Sequence, residues 1–171
     1  RGITLRSFKQ DEILHTALDE IINVTDIDSG GIYILNQEGI LELKVSRGFS
    51  DMFINAVKEM RQGQGICGDA GILKEPVILD ISQYKDNKFK PLFLMEGIET
   101  AACMPIMHRG MLKGGIFLAS RKKREIDIQF LESIAADIAA AIENTSIFQQ
   151  EYHSGRFLER IINQSPIGIW V

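Results

Sequence analysis

The sequence predicts an α+β domain, an antiparallel sheet with helices packed against it. Three observations carry this. Two pairs of β-rich runs are each joined by a short turn containing glycine, as hairpins are. Amphipathic helical patterns precede the first hairpin and follow the second. No strand–helix–strand alternation marks a parallel series.

The elements follow in order. Ser7 to Val24 reads as a helix, with Ile13, Leu14, Ala17, Leu18, Ile21 and Ile22 at helical spacing. Ser29-Gly30-Gly31 breaks it. Gly31 to Leu35 and Ile40 to Ser46 are strands around the turn Asn36-Gln37-Glu38-Gly39. Ser50 to Arg61 reads as one helix, capped by Ser50. A glycine-rich loop follows, then the strand Val77 to Ile81 and a short helix near Leu92 to Glu96, ended by Gly97. Thr100 to Met107 and Met111 to Ala119 form the second hairpin around His108-Arg109-Gly110. Ile126 to Tyr152 is a long helix whose apolar steps of three and four suit pairing with a second copy, although a helix packed on the sheet shows similar spacing.

Composition narrows the classes. A net charge of -4 argues against a nucleic-acid partner. The run Arg121 to Arg124 reads as a solvated turn. No segment is long and apolar enough to span a bilayer. Cys67 and Cys103 stand in no metal-ligand spacing and suit a reducing cytoplasm. The chain starts at Arg1 and stops in an apolar run at Val171, which reads as a fragment of something longer.

The stretch GQGICGDAG, Gly63 to Gly71, satisfies G-x-G-x-x-G. A dinucleotide fingerprint needs a strand before its first glycine and a helix opening at its last. A helical pattern precedes Gly63, so that reading is set aside. No Lys-Ser/Thr follows to make a P-loop. Nothing in the spacing pairs Cys67 with His15, His108 or His153 as nucleophile and base.

The order of these pieces resembles a GAF domain over roughly Ser7 to Phe148. The carriers are the first hairpin, the loop GQGICGDAG followed by KEPVILDI, and GIETAACMPIMHRGMLKGGIFLAS with its long exit helix. Gly63, Gly65, Ile66, Gly68, Glu75, Pro76, Val77 and Asp80 fill the family's loop pattern, and Thr100 stands where the family has serine. The resemblance implies a central sheet of five to six strands. Both terminal helices would lie on one face, with loops, short helices and a ligand pocket on the other. Residues 1–150 would form this sensory domain. The tail Arg156 to Val171 resembles the opening of a PAS domain, so 151–171 would be a linker and a truncated second module.

Gly65, Ile66, Cys67, Asp69, Asp80, Phe93, Met95, Ala102, Met104 and Phe117 are the candidate ligand-binding residues. A thiolate is a good axial ligand for haem iron, so haem or another prosthetic group at Cys67 is carried as a candidate, as is a redox-sensing thiol. The resemblance also covers cyclic-nucleotide binders, whose N-K-x-F signature Asn87-Lys88-Phe89 begins to match, but the trailing acidic pair does not follow. It covers methionine sulfoxide reductases too, which use a cysteine set. The two cysteines here stand in different contexts. The implied function is a non-catalytic sensory domain, cytoplasmic and homodimeric through its first and last helices. It would signal to PAS and histidine-kinase modules in the same chain. The other readings are a ligand-free dimerisation spacer and a Cys67-based redox or haem sensor.

Overall fold

The computed structural model describes residues 5–153. The elements are α1 (Leu5–Thr25), β1 (Ser29–Leu35), β2 (Ile40–Arg47), α2 (Asp51–Val57), β3 (Glu59–Arg61), α3 (Gly65–Leu73), β4 (Val77–Asp80), a 3-10 turn (Ile81–Gln83), α4 (Phe89–Met95), β5 (Thr100–His108), β6 (Met111–Ser120) and α5 (Ile128–His153). The PAS-like tail Arg156 to Val171 lies outside the described residues.

The strands form one six-stranded sheet in the order β3-β2-β1-β6-β5-β4, and every pairing is antiparallel. Local chemistry sets the joints. In the first hairpin turn, Asn36 Oδ1 accepts from the backbone N–H of Glu38 and of Ile40, both at 2.9 Å. Gly39 takes φ +82°, a left-handed conformation glycine adopts without a Cβ clash. Ser50 caps α2 by accepting from Phe53 N–H at 3.2 Å. Asp86 Oδ1 accepts from Lys88 and Phe89 N–H at 2.8 Å and so starts α4.

Both faces of the sheet are covered. On one, α1 and α5 lay Leu14, Leu18, Ile21, Leu131, Ile134 and Ile138 onto Ile32, Ile106, Ile116 and Leu118. Each such side chain contributes about 1.5–3 kcal/mol when fully buried. The other face carries α2, α3, α4 and the 3-10 turn over a separate core. Among the described residues, no helix is long and apolar enough to cross a membrane.

Two elements differ from the sequence reading. The helix expected over Ser50 to Arg61 ends at Val57, and Glu59–Arg61 instead pairs with β2, Leu41 opposite Met60. Met60 fits either periodicity, but its strand partner lies far upstream. The expected glycine loop is largely the helix α3. A strand therefore does precede Gly63, which removes the ground on which a dinucleotide fingerprint was set aside. The topology supplies a better one: among the described residues β3 pairs only with antiparallel β2, and no parallel strand follows α3.

Candidate functional site

The second core is rich in aromatic rings and sulfur. Phe53 from α2, Phe93 from α4 and Phe117 from β6 meet under Phe49. Ring centroids are 4.8 Å apart for Phe49–Phe53, 5.5 Å for Phe49–Phe117, 5.6 Å for Phe53–Phe93 and 6.0 Å for Phe93–Phe117. Such offset and tilted pairs stabilise beyond their buried area. Tyr84 stands edge-on to Phe93 at 5.9 Å. Tyr33, from β1, donates its hydroxyl to the Val57 carbonyl at 2.7 Å, inside the core.

Helix α3 closes this core, and its glycines explain how. A Cβ on Gly68 would sit 2.4 Å from the Arg61 carbonyl oxygen, so only glycine lets the helix lie against the β3 backbone. A Cβ on Gly71 would meet Leu112 Cδ2 at 3.0 Å. Interior glycines cost a helix about 1 kcal/mol each relative to alanine. Close docking is what offsets that cost here. The helix then points Ile66, Cys67 and Ala70 into the core. Its end is Lys74, left-handed at φ 57°, whose N–H returns to the Ala70 carbonyl.

The packing of α3 on β5 brings together two residues far apart in the chain. Cys67 and Cys103 are both buried, at 4% and 1% exposure, and both are free thiols. Burial pushes the Cys67 thiol well up, and the neighbouring Cys103 thiol pushes it further. The Tyr33 phenol is raised by burial first, and then by the two cysteines.

The structure gathers Ile66, Cys67, Phe93 and Phe117 in this core, with Gly65 buried at the start of α3. It separates the other candidates from them. Met95 is 66% exposed at the end of α4. Met104 belongs to the α1/α5 core, and strand alternation puts Ala102 on that same face. Asp80 faces outward, capping the 3-10 turn through Ser82 N–H at 2.9 Å and Ser82 Oγ at 2.7 Å. Those donors hold its carboxyl below the ordinary range, with Lys123 adding to them. Asp69 lies on the outer side of α3. Partial burial, then the nearby Asp86 carboxylate, raises it.

Tyr33, Phe53, Tyr84, Phe89 and Cys103 were missed as site residues. Alternation in Ser29–Leu35 carried a signal for Tyr33, which faces opposite Ile32. The run Ala101 to Met107 carried none for Cys103, because both of its faces are apolar. Lys88 sits 5.2 Å over the Phe89 ring, so the Asn87-Lys88-Phe89 run serves the start of α4.

These residues do not fit a thiolate-ligated haem. Cys67 is buried against a second thiol, in surroundings that favour its protonated form. His15 lies on the outer side of α1 beside Arg47, and His108 ends β5. Among the described residues, no group of three or more His, Cys, Asp or Glu is placed to hold a metal ion.

A second feature lies on the helical layer. A groove of about 420 Å³ runs between α1 and α5, floored by Ile134 and Ile138 and bordered by Glu12, Glu20 and Asp137. Beside it, Ser133, Ala136 and Ala140 give α5 a small-residue, solvent-facing side.

A six-stranded antiparallel sheet between a helix pair and a layer of short helices defines an α+β sandwich of helices on both faces of one sheet. The GAF domain family model matches residues 9–143, so the chain belongs to the GAF family. Solved structures share the fold. One is a domain assigned to a two-component sensor histidine kinase of Sinorhizobium meliloti 1021, at 19% identity, TM-score 0.69, covering 85% of this chain and 96% of that one. Another is the GAF domain of a two-component sensor histidine kinase from Bacillus halodurans, at 16% identity, TM-score 0.64, with 81% and 96% covered. A third is a type II free methionine-R-sulfoxide reductase from Thermoplasma acidophilum, at 22% identity, TM-score 0.66, with 83% and 97% covered. No curated protein matches the chain.

Proposed function

We propose that the chain is the regulatory GAF domain of a cytoplasmic sensory protein. The aromatic face receives a small molecule or a conformational input. The helical layer passes it on, along α5, to PAS and kinase modules. One observation carries this reading: β5 and β6 belong to both cores. Ala101, Cys103, Phe117 and Ala119 face the aromatic side, while Met104, Ile106, Ile116 and Leu118 face α1 and α5. A shift on one side therefore reaches the other across a single strand. A ligand moves such an equilibrium only by the difference in its affinity for the two arrangements.

Hydrogen exchange on wild type and Phe93→Ala tests the transmission. Exchange in α5 should rise along with that in α3 and α4. A change confined to the aromatic side would defeat the reading. Native mass spectrometry of the same sample separates a ligand-bearing domain from a ligand-free spacer.

We also infer pairing of two copies through α1 and α5, supported by the groove and the small-residue side of α5. Pairing there would bring Glu12, Glu20 and Asp137 of two copies close together. Added salt should then tighten the dimer by screening like charges, as sedimentation equilibrium would show.

The neighbouring thiols favour a second reading, thiol-dependent reduction of a free sulfoxide, the activity of a structural neighbour, the Thermoplasma acidophilum free methionine-R-sulfoxide reductase. Against it, both sulfurs are buried and Cys67 resists ionisation. Turnover of free methionine-R-sulfoxide with thioredoxin and its reductase would establish it, and none is expected.

A further inference from the structure

We propose that Cys67 and Cys103 form an oxidisable dithiol, a modification site that peroxides close into an intramolecular disulfide, pinning α3 to β5. The inference is independent of the regulatory reading, since it concerns what the two sulfurs do and not where a signal goes.

The placement carries it. Cys67 is on the buried side of α3 and Cys103 on the aromatic face of β5, within one core that also holds Tyr33 and Phe117. The space around the Cys103 sulfur is built from a glycine: a Cβ on Gly115 would sit 2.9 Å from Cys103 Sγ. α3 packs directly on β5 and places Cys67 and Cys103 in the same core; closure needs their Cα atoms within about 7 Å, so that rotation about the two side chains brings the sulfurs to bonding distance. Neither thiol is committed elsewhere: the pair is free.

Access comes through α3. Gly63 just before α3 and Gly65 at its first position are left-handed, at φ +92° and +63°, and Lys74 at its end is left-handed too. With glycine at 65, 68 and 71, the helix has weak intrinsic propensity and is held mainly by its docking. Such a segment opens locally at lower cost than the sheet beneath it. A small uncharged oxidant reaches the sulfurs through that opening more readily than a bulky charged one.

The chemistry balances with hydrogen peroxide as the oxidant. One cysteine, ionised on opening, attacks a peroxide oxygen. The O–O bond breaks, hydroxide leaves, and a sulfenic acid forms. The neighbouring thiol, giving up its proton, attacks the sulfenic sulfur and expels hydroxide, so water is the net product. Two thiols are oxidised to one disulfide and one peroxide is reduced to two waters. A dithiol reductant reverses the closure by exchange.

The test uses the whole reduced chain, treated with hydrogen peroxide, acid-quenched, unfolded and alkylated with N-ethylmaleimide. Mass spectrometry should show both thiols lost together and a single linked peptide pair joining Cys67 to Cys103. Dithiothreitol should restore both. Amide exchange in 65–73 should slow in the oxidised chain and recover on reduction. Cys67→Ser and Cys103→Ser should each give no such linked pair within one chain and no slowed exchange. The proposal is overturned if both thiols stay alkylatable. Singly oxidised sulfinic products, or linkage only between chains, would overturn it equally. Should a serine variant fail to fold, the wild-type peptide map decides alone.

Discussion

The two faces of the sheet are both buried, yet they are built from different materials. Beneath α1 and α5 the core is almost wholly aliphatic, with Leu14, Leu18, Ile21, Ile32, Ile116 and Leu131 at 1% exposure or less. Beneath α3 and α4, aliphatic side chains such as Leu41, Val57, Ile66 and Ile81 are mixed with phenylalanine rings, two tyrosines, two thiols and Met60. Branched aliphatic side chains interlock in few rotamers, which suits a layer that must move as a unit. Rings and sulfur tolerate rearrangement, and hydroxyls give a core polar anchor points. On the regulatory reading proposed above, the stiff element would be the helical layer and the adaptable one the face that receives the input.

The largest effects should come from emptying each face in turn. Phe93→Ala should cost about 3–5 kcal/mol and Leu18→Ala about 2–5 kcal/mol, measured by chemical denaturation. Their combination is the sharper test. Independent faces should give additive losses within roughly 0.5 kcal/mol, whereas faces coupled through β5 and β6 should depart from additivity by more. An additive double variant would break the link between the two cores.

Next in size is the close approach that docks α3. Gly68→Ala should destabilise by about 1–3 kcal/mol, despite the better helix propensity of alanine, because its Cβ meets the Arg61 carbonyl. A neutral or stabilising outcome would mean that α3 shifts freely on the sheet. Gly68 also shows where the sequence was legible and where it was not. Hairpins, terminal helices and layer order could be read because each rests on local turn chemistry and a clear period. Helix α3 could not. Its glycines speak against a helix locally, and the packing that rescues it involves β3 and Leu112, distant from it in pattern. The same limit hid the site. Cys67 was singled out, but its partner sits in a run apolar on both faces, so nothing local said whether Cys103 or Met104 faced the rings. Met95, a ligand-binding candidate in the sequence, is a helix end in solvent.

A smaller effect separates packing from anchoring on the aromatic face. Tyr33→Phe keeps the ring and removes the hydroxyl that donates to Val57 O at 2.7 Å. It should cost about 0.5–1.5 kcal/mol, or more if the carbonyl is left without a donor. Thermal melts of the two proteins would show it as a modest drop. An unchanged melt would mean that α2 is held by Phe53 and Val57 alone.

The smallest effects are electrostatic, and they carry opposite signs at the two ends of the α3–β4 segment. Asp69 has a carboxyl raised by partial burial and then by Asp86, so the folded state holds its proton more tightly than the unfolded chain does. Its ionised form is therefore a cost at neutral pH, and that cost fades as pH falls through the carboxylate range. Asp69→Asn should raise the melting temperature slightly at neutral pH, and the gain should vanish below about pH 4. Asp80 is the reverse. Ser82, and then Lys123, depress its carboxyl, so its contribution is present above the unfolded value and lost as pH falls through the folded one. Asp80→Asn should lower the melting temperature at neutral pH and converge with wild type in acid. Both side chains reach solvent, so screening keeps both effects small. Melts across the acid range would separate them, since crossing trends require the opposite shifts and parallel trends would contradict them.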